Sequence, residues 1–320
     1  MTSHKPAIIF MGTPRFAVPS LEILIEKGYP VRAVVTAADK PSGRGLKFRE
    51  SAVKLAALAN NIEVLQPSKL KEDRFAERLR DFAADLFVIV AFRMLPEKIW
   101  TIPPLGTVNL HASLLPLYRG AAPINHAIIN GEKITGVTTF LIEKEIDTGK
   151  ILLQEKTGIR SNETAGELHD RLMIDGAWLM LKTIEAITAG TVTPKPQDES
   201  EYRVNLPAAP KITKKDCRIN WSQPADRLFD FVRGLSPYPG AWTILEDGGK
   251  TINIRIFEVE KIAEAHAFSP GRLKVYNNQL IIATGEGSVL VKRLQPEARR
   301  PMTGPEFVRG YRPGPMASCI

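Results

Sequence analysis

Short, almost wholly apolar runs separated by longer amphipathic stretches dominate the first two-thirds of this 320-residue chain. Residues 7–11 form such a run, closed by Gly12-Thr13-Pro14. A helical pattern follows to Lys27, and Gly28 is its stop. Residues 31–36 repeat the strand signal. Residues 51–60 then read as a helix with Ser51 as N-cap. A weak strand at 63–65, a helix at 71–82, a buried strand at 86–90 and a strand at 107–111 continue the alternation. Pro123 suits the first turn of a helix that stops at Gly131. Residues 135–142 and 151–158 read as paired strands. Residues 163–189 read as a long helix ended by Gly190, with Ser161 or Asn162 as its cap.

Strand runs of this length, alternating with helices, predict an α/β fold: a mostly parallel, Rossmann-like sheet with helices on both faces. Ligands of such sheets bind beyond the carboxyl ends of the strands, where Gly12-Thr13, Phe92-Arg93 and His111-Ala112 fall. Residues 191–210 hold Pro194, Pro196, Pro207 and Pro210 among polar neighbours and read as a linker. A short helix at 225–233 and strands at 241–245, 251–259, 271–275, 279–283 and 289–294 then suggest a small, OB-like β-barrel. The expected division is a catalytic domain at 1–190, a linker at 191–210 and a barrel at 211–320.

Composition excludes several classes. The longest apolar run, 86–92, stops at Arg93, far short of the ~20 residues of a membrane span. Residues 7–11 are too few for a signal-peptide core, so a cytoplasmic protein is expected. Cys217 and Cys319 are the only cysteines and imply no disulfide framework. His4, His126, His169 and His266 are scattered, and no metal site is expected. The net charge is +8, and residues 202–320 carry 18 Lys and Arg against 11 Asp and Glu. That asymmetry fits a polyanionic partner on the C-terminal side, and equally a merely basic soluble domain.

Within the strand Thr107-Val-Asn-Leu-His, Asn109 and His111 share one face, because strand side chains alternate. An amide and an imidazole at a strand end can stabilise a developing oxyanion and move a proton. Asp147, in a turn closed by Gly149, could orient the imidazole. Alone, an Asn-x-His pair is most often structural. Ser113 lacks a Gly-x-Ser-x-Gly elbow and reads as a turn residue. The basic loop Asp39-Lys-Pro-Ser-Gly-Arg-Gly-Leu-Lys-Phe-Arg49 lacks the P-loop pattern, and no Gly-x-Gly-x-x-Gly follows the first strand.

Five segments together change the weighting: Gly12-Thr-Pro-x-Phe-Ala17, Asn109-Leu-His-x-Ser-Leu-Leu-Pro116, Arg119-Gly-Ala-Ala-Pro-Ile124, Gly136-Val-Thr138 and Asp147-Thr-Gly149. With Arg233-Gly-Leu-Ser-Pro-Tyr-Pro-Gly-Ala-Trp242, the chain resembles the folate-dependent N-formyltransferases, and among them the methionyl-tRNA formyltransferases, over essentially its full length. The resemblance implies formyl transfer from 10-formyltetrahydrofolate to the methionine amine of initiator methionyl-tRNA by a cytoplasmic monomer. It implies Asn109, His111 and Asp147 as catalytic residues. It places folate against Arg93, Met94, Leu95, Ser113, Leu114, Leu115, Pro116, Glu143, Lys144 and Glu145. It places tRNA against Lys40, Arg44, Lys47, Arg49, Lys211, Lys214 and Lys215. The chain departs from the family pattern at Phe92-Arg93, commonly Tyr-Gly, and at Ile142-Glu143-Lys144-Glu145, commonly Met-Asp-x-Gly. Three competitors share parts of this pattern: an amino-sugar formyltransferase, a 10-formyltetrahydrofolate hydrolase and a non-catalytic RNA-binding protein.

Overall fold

A computed structural model describes residues 5–42, 47–200 and 206–320. Its strands are β1 (Ile8–Gly12), β2 (Val31–Val35), β3 (Lys40–Ser42), β4 (Lys47–Arg49), β5 (Glu63–Leu65), β6 (Leu86–Val90), β7 (Thr107–His111), β8 (Ile134–Leu141) and β9 (Ile151–Gly158), then β10 (Ala241–Asp247), β11 (Lys250–Ile262), β12 (Leu273–Tyr276), β13 (Gln279–Ala283), β14 (Ser288–Pro296), β15 (Met302–Thr303) and β16 (Ser318–Cys319). The helices are α1 (Val18–Glu26), α2 (Ala52–Ala59), α3 (Asp73–Asp81), α4 (Glu97–Trp100), α5 (Pro123–Ile129), α6 (Ala165–Thr188), α7 (Ala225–Gly234) and α8 (Gly304–Gly310).

Two compact units result. The first comprises residues 1–120, 135–157 and 169–208, and the second comprises 121–134, 158–168 and 209–320. In the first unit the strands lie in the order β5-β2-β1-β6-β7-β8-β9. β5, β2, β1, β6 and β7 run parallel, and β8 pairs antiparallel with β7. Chain order reverses between β1 and β6, which opens a crevice at their carboxyl ends. β1 and β6 are buried along their whole length, which explains their unbroken apolar sequences. Ile9, Met11, Val35, Phe87 and Ile89 share one core with Phe75 and Leu79 of α3 and Ile99 of α4. Gly12 is needed where β1 ends, because a Cβ there would sit 2.8 Å from that of Ala17.

Several local expectations shift. The Asp39–Arg49 segment, read as a basic loop, contains the antiparallel pair β3–β4. Its entry is anchored by Asp39, which accepts from Lys54 Nζ at 2.5 Å and Gln66 Nε2 at 2.8 Å. Those bonds, Lys54 first, hold the Asp39 carboxyl below its ordinary range. Ser51 caps α2 as expected, accepting from Lys54 N at 3.1 Å. α6 is capped by neither Ser161 nor Asn162. Thr164 accepts from Glu167 N at 3.2 Å while Glu167 accepts from Thr164 N at 2.8 Å, a reciprocal capping box that starts the helix later.

The second unit is an antiparallel sheet in the order β12-β13-β14-β11-β10-β16, with β15 added to β14. A bridge between Arg272 and Ser318 brings β16 back to the start of β12, so the sheet nearly closes as a barrel. Its core holds Trp221, Leu245, Ile256, Val291 and Phe307. α8, β15 and β16 carry too few residues to announce themselves by periodicity. The second unit also takes in α5, which lies against α7: Asn125 Nδ2 donates to Gly234 O at 2.7 Å. Residues 191–208 do not simply bridge the units. The described residues among them cluster with the first, and Lys195 pairs with Ile151 at the start of β9.

Candidate active site

β7 places Asn109 opposite Ile89 of β6 and Phe140 of β8, and His111 opposite Thr138. The intervening Leu110 faces away and meets α6, where a Cβ on Gly176 would come within 2.7 Å of it. One strand therefore divides its residues between core and site. His111 is buried, and its Nε2 lies 2.8 Å from the Tyr118 carbonyl. A carbonyl only accepts, so Nε2 carries the hydrogen. Nδ1 faces the Asp147 carboxylate at 3.8 Å. A proton on Nδ1 would thus also meet an acceptor, an arrangement suited to an imidazole that cycles a proton. Asp147 Oδ2 accepts from Gly120 N at 2.9 Å. Asn109 is half-buried, and among the described residues no protein group hydrogen-bonds its side-chain amide.

The Asp147 turn is tightly specified. Asp147 itself adopts φ +56°, in the left-handed region, and a Cβ on Gly149 would lie 1.7 Å from the Leu141 carbonyl oxygen. The opposite wall, residues 113–118, is held from β8: Thr138 Oγ1 donates to Ser113 O at 2.6 Å, and Leu115 N donates to Thr138 Oγ1 at 3.2 Å. Gln154 Nε2 adds a bond to Leu115 O at 2.8 Å. Ser113 donates its hydroxyl to Leu117 O at 2.6 Å, as a turn residue does.

The formyl transferase family model matches residues 4–184, and that of the formyl transferase C-terminal domain matches residues 211–312. A methionyl-tRNA formyltransferase of Bacteroides thetaiotaomicron is 48% identical over 314 residues, covering 98% of both chains. The chain belongs to the methionyl-tRNA formyltransferase family. Among solved structures, WlaRD, a sugar 3N-formyl transferase crystallised with dTDP and 5-N-formyl-THF, is 20% identical with a TM-score of 0.64, over 93% of this chain and all of that one. HypX from Aquifex aeolicus, solved with tetrahydrofolic acid, is 19% identical with a TM-score of 0.61; the match covers 95% of this chain and 47% of HypX. Both likenesses show the fold.

Against the other residues singled out for this family, the structure is uneven. Asn109, His111 and Asp147 gather. Arg93 turns its guanidinium to the Pro67 and Ser68 carbonyls and lies 5.7 Å from the Phe92 ring. Met94 is exposed, whereas Leu95 packs into the core beside Ile99. Leu114 is half-buried, Leu115 and Pro116 are buried, and Glu143, Lys144 and Glu145 are exposed. The backbone of Lys40, Lys47 and Arg49 lies in the β3–β4 hairpin, and Arg44 lies outside the described residues.

In the barrel unit Lys211, Lys214 and Lys215 are exposed. Lys214 Nζ lies 5.7 Å and the Arg218 guanidinium 5.6 Å from the centre of the Trp242 ring, whose Nε1 donates to Lys214 O at 2.7 Å. A groove of 470 Å³ runs past Thr213, Lys214, Tyr238, Trp242 and Arg255. Trp221 is buried in the barrel core, whereas Trp242 is only half-buried and forms a groove wall. Arg218 had no motif to mark it. Nor had Gln197, which reaches the Asp147 turn from a segment that reads as linker. Among the described residues no group of three or more His, Cys, Asp and Glu could hold a metal, and no helix is long and apolar enough to cross a membrane.

Proposed function

We propose that this chain transfers the formyl group of 10-formyltetrahydrofolate to the free α-amino group of methionine on initiator methionyl-tRNA, the reaction of translation initiation. The observation that carries the reading is the geometry of three groups at one strand end: an uncommitted Asn109 amide, a His111 ring set between a carbonyl and a carboxylate, and Asp147 fixed by its own turn. The acceptor amine is the nucleophile, so no side chain has to be acylated. Asn109 donates to the formyl oxygen as that oxygen gains negative charge, worth about 3 kcal/mol for a well-placed donor. His111, with a hydrogen on Nδ1, adds a second donor, and Asp147 balances its charge. As the adduct collapses, the bond between the formyl carbon and N10 of the folate breaks; the Asp147 carboxylate takes the proton the amine sheds and passes it to the departing N10, so that tetrahydrofolate leaves neutral at that nitrogen, a proton transfer typically worth about 10²–10⁴-fold in rate.

A folate-type formyl donor fits a crevice at the carboxyl ends of β1, β6 and β7. Ser113 to Pro116 and Arg93 to Leu95 border it, and Glu143, Lys144 and Glu145 follow β8. With Glu143 to Glu145 exposed and Leu95 committed to the core, main-chain groups there are the better hydrogen-bonding partners. Lys211, Lys214 and Lys215, with Lys40, Arg44, Lys47 and Arg49, are assigned to tRNA phosphates, which position RNA without reading its bases. The protein acts as a cytoplasmic monomer in this reading. The test is formyl transfer from 10-formyltetrahydrofolate in the presence of methionyl-initiator tRNA, methionyl-elongator tRNA or no RNA. Transfer restricted to the initiator is expected. Equal donor consumption in all three would mark a hydrolase, and transfer only to an amino sugar would move the acceptor.

A further inference from the structure

The segment after α6 does more than join two units. Lys195 exchanges backbone bonds with Ile151, its N donating at 2.9 Å and its O accepting at 2.7 Å. Two residues on, Gln197 spends both amide hydrogens on the Asp147 turn, donating to Asp147 O at 2.7 Å and Gly149 O at 2.9 Å. Its remaining oxygen accepts from Arg119 Nε at 3.0 Å and Nη2 at 2.5 Å. Arg119 is held in turn by Glu199, at 2.7 Å. Further along, Pro207 O accepts from Tyr118 N at 2.7 Å. Tyr118 is the residue whose carbonyl takes His111 Nε2, and Asp147 is the one facing His111 Nδ1.

We infer that residues 191–200, together with Pro207, act as a catalytic strap, with Gln197 as a positioning residue that sets the Asp147 carboxylate against His111. The inference deepens the proposed function and rests on its assignment of Asp147 and His111. The chemistry of a primary amide suits the task. Asp147 sits at φ +56°, a conformation that a bulky residue avoids and that outside bonds must hold. Two N–H donors on one planar group bind two carbonyls flanking that turn, while the Arg119 fork fixes the plane. No other neutral side chain of this length offers two donors and an acceptor together. The strap also reaches both partners of the imidazole, Asp147 through Gln197 and Tyr118 through Pro207. A displacement of about 1 Å at a reacting group can cost as much as 10²-fold in rate, so the strap can matter while touching no substrate.

The test uses the full-length protein with Gln197→Ala and Gln197→Glu. Glutamate keeps the length and the acceptor but lacks both donors. We expect kcat to fall about 10- to 100-fold in both, with KM for the formyl donor and for tRNA within about twofold and the melting temperature unchanged. The Ala variant should also move the His111 ring signals in histidine-selective ¹⁵N NMR, whereas a remote Arg15→Ala control should not. If the parent makes no formylated product but the His111 signals move, the functional reading fails and the strap stands. Unmoved His111 signals in Gln197→Ala, or kcat within twofold of an active parent, would overturn the strap. A kcat loss that tracks a fall in melting temperature would do the same.

Discussion

The Asp147 turn and the Trp242 groove are both polar, but they are built on opposite plans. Around Asp147 nearly every polar atom has a single, short, directional partner: Gly120 N on the carboxylate, Gln197 on the carbonyl, Tyr118 O on His111. Around Trp242, Lys214 and Arg218 lie over a ring face, and no carboxylate pairs with either among the described residues. The first plan fixes atoms to fractions of an ångström. The second concentrates charge on an aromatic surface, which tolerates imprecision and suits a flexible polyanion. Damage should therefore be steep in the turn and graded in the groove.

The largest expected effect is His111→Ala, with kcat down about 10²–10⁴-fold and tRNA binding within about twofold. Near-parental kcat would break the comparison at its catalytic end. Asn109→Ala should follow, at about 10²–10³-fold in kcat, measured at saturating formyl donor. A loss seen only in KM would recast Asn109 as a binding group. Replacing Lys214 and Arg218 together by Ala should weaken tRNA binding and flatten the dependence of log K on log salt, by about 0.7–0.9 for each phosphate that the variant no longer neutralises, with kcat at saturation retained. An unchanged slope would remove the groove from the RNA path.

Thr164→Ala removes one half of the α6 capping box and should cost about 1 kcal/mol, read as a lowered melting temperature with kcat preserved. The smallest effect is a titration. Burial and the bond to Asp247 push the Tyr311 phenol up to about 12. A raised pKa means that the folded state holds the proton more tightly. Tyr311 therefore adds stability fully below the ordinary value of 10.0 and loses it as pH climbs towards 12. Ultraviolet titration should show two late-ionising phenols, Tyr29, pushed up by burial, and Tyr311, of which the second disappears in Tyr311→Phe.

How legible this was from the sequence follows the same divide. Buried strands such as β1 and β6 write themselves as unbroken apolar runs, and β7 displays Asn109 and His111 by simple alternation. The barrel strands were readable from their spacing, and Ser51 from its place before α2. Gln197 was not readable, because a side-chain amide that bonds two distant carbonyls leaves no local periodicity, and the prolines around it argue for a tether. In the sequence Ser161 or Asn162 reads as the α6 cap; the Thr164–Glu167 reciprocity, which composition alone does not show, places it at Thr164. Trp242 alternates with the buried Ala241, Thr243 and Leu245 of β10, so its ring faces outward, where the chain before the barrel presents Lys214 and Arg218 to it. Long-range polar contacts were the missing information in each case.

Single-turnover formyl transfer, with methionyl-initiator tRNA already bound, compares the two regions in one measurement. His111→Ala should lower the single-turnover rate at least about 100-fold while leaving the tRNA dissociation constant within about twofold, and the Lys214 and Arg218 double variant should do the reverse. A parental single-turnover rate in His111→Ala, or a collapse of that rate in the groove variant with RNA saturating, would contradict the division of labour between the turn and the groove.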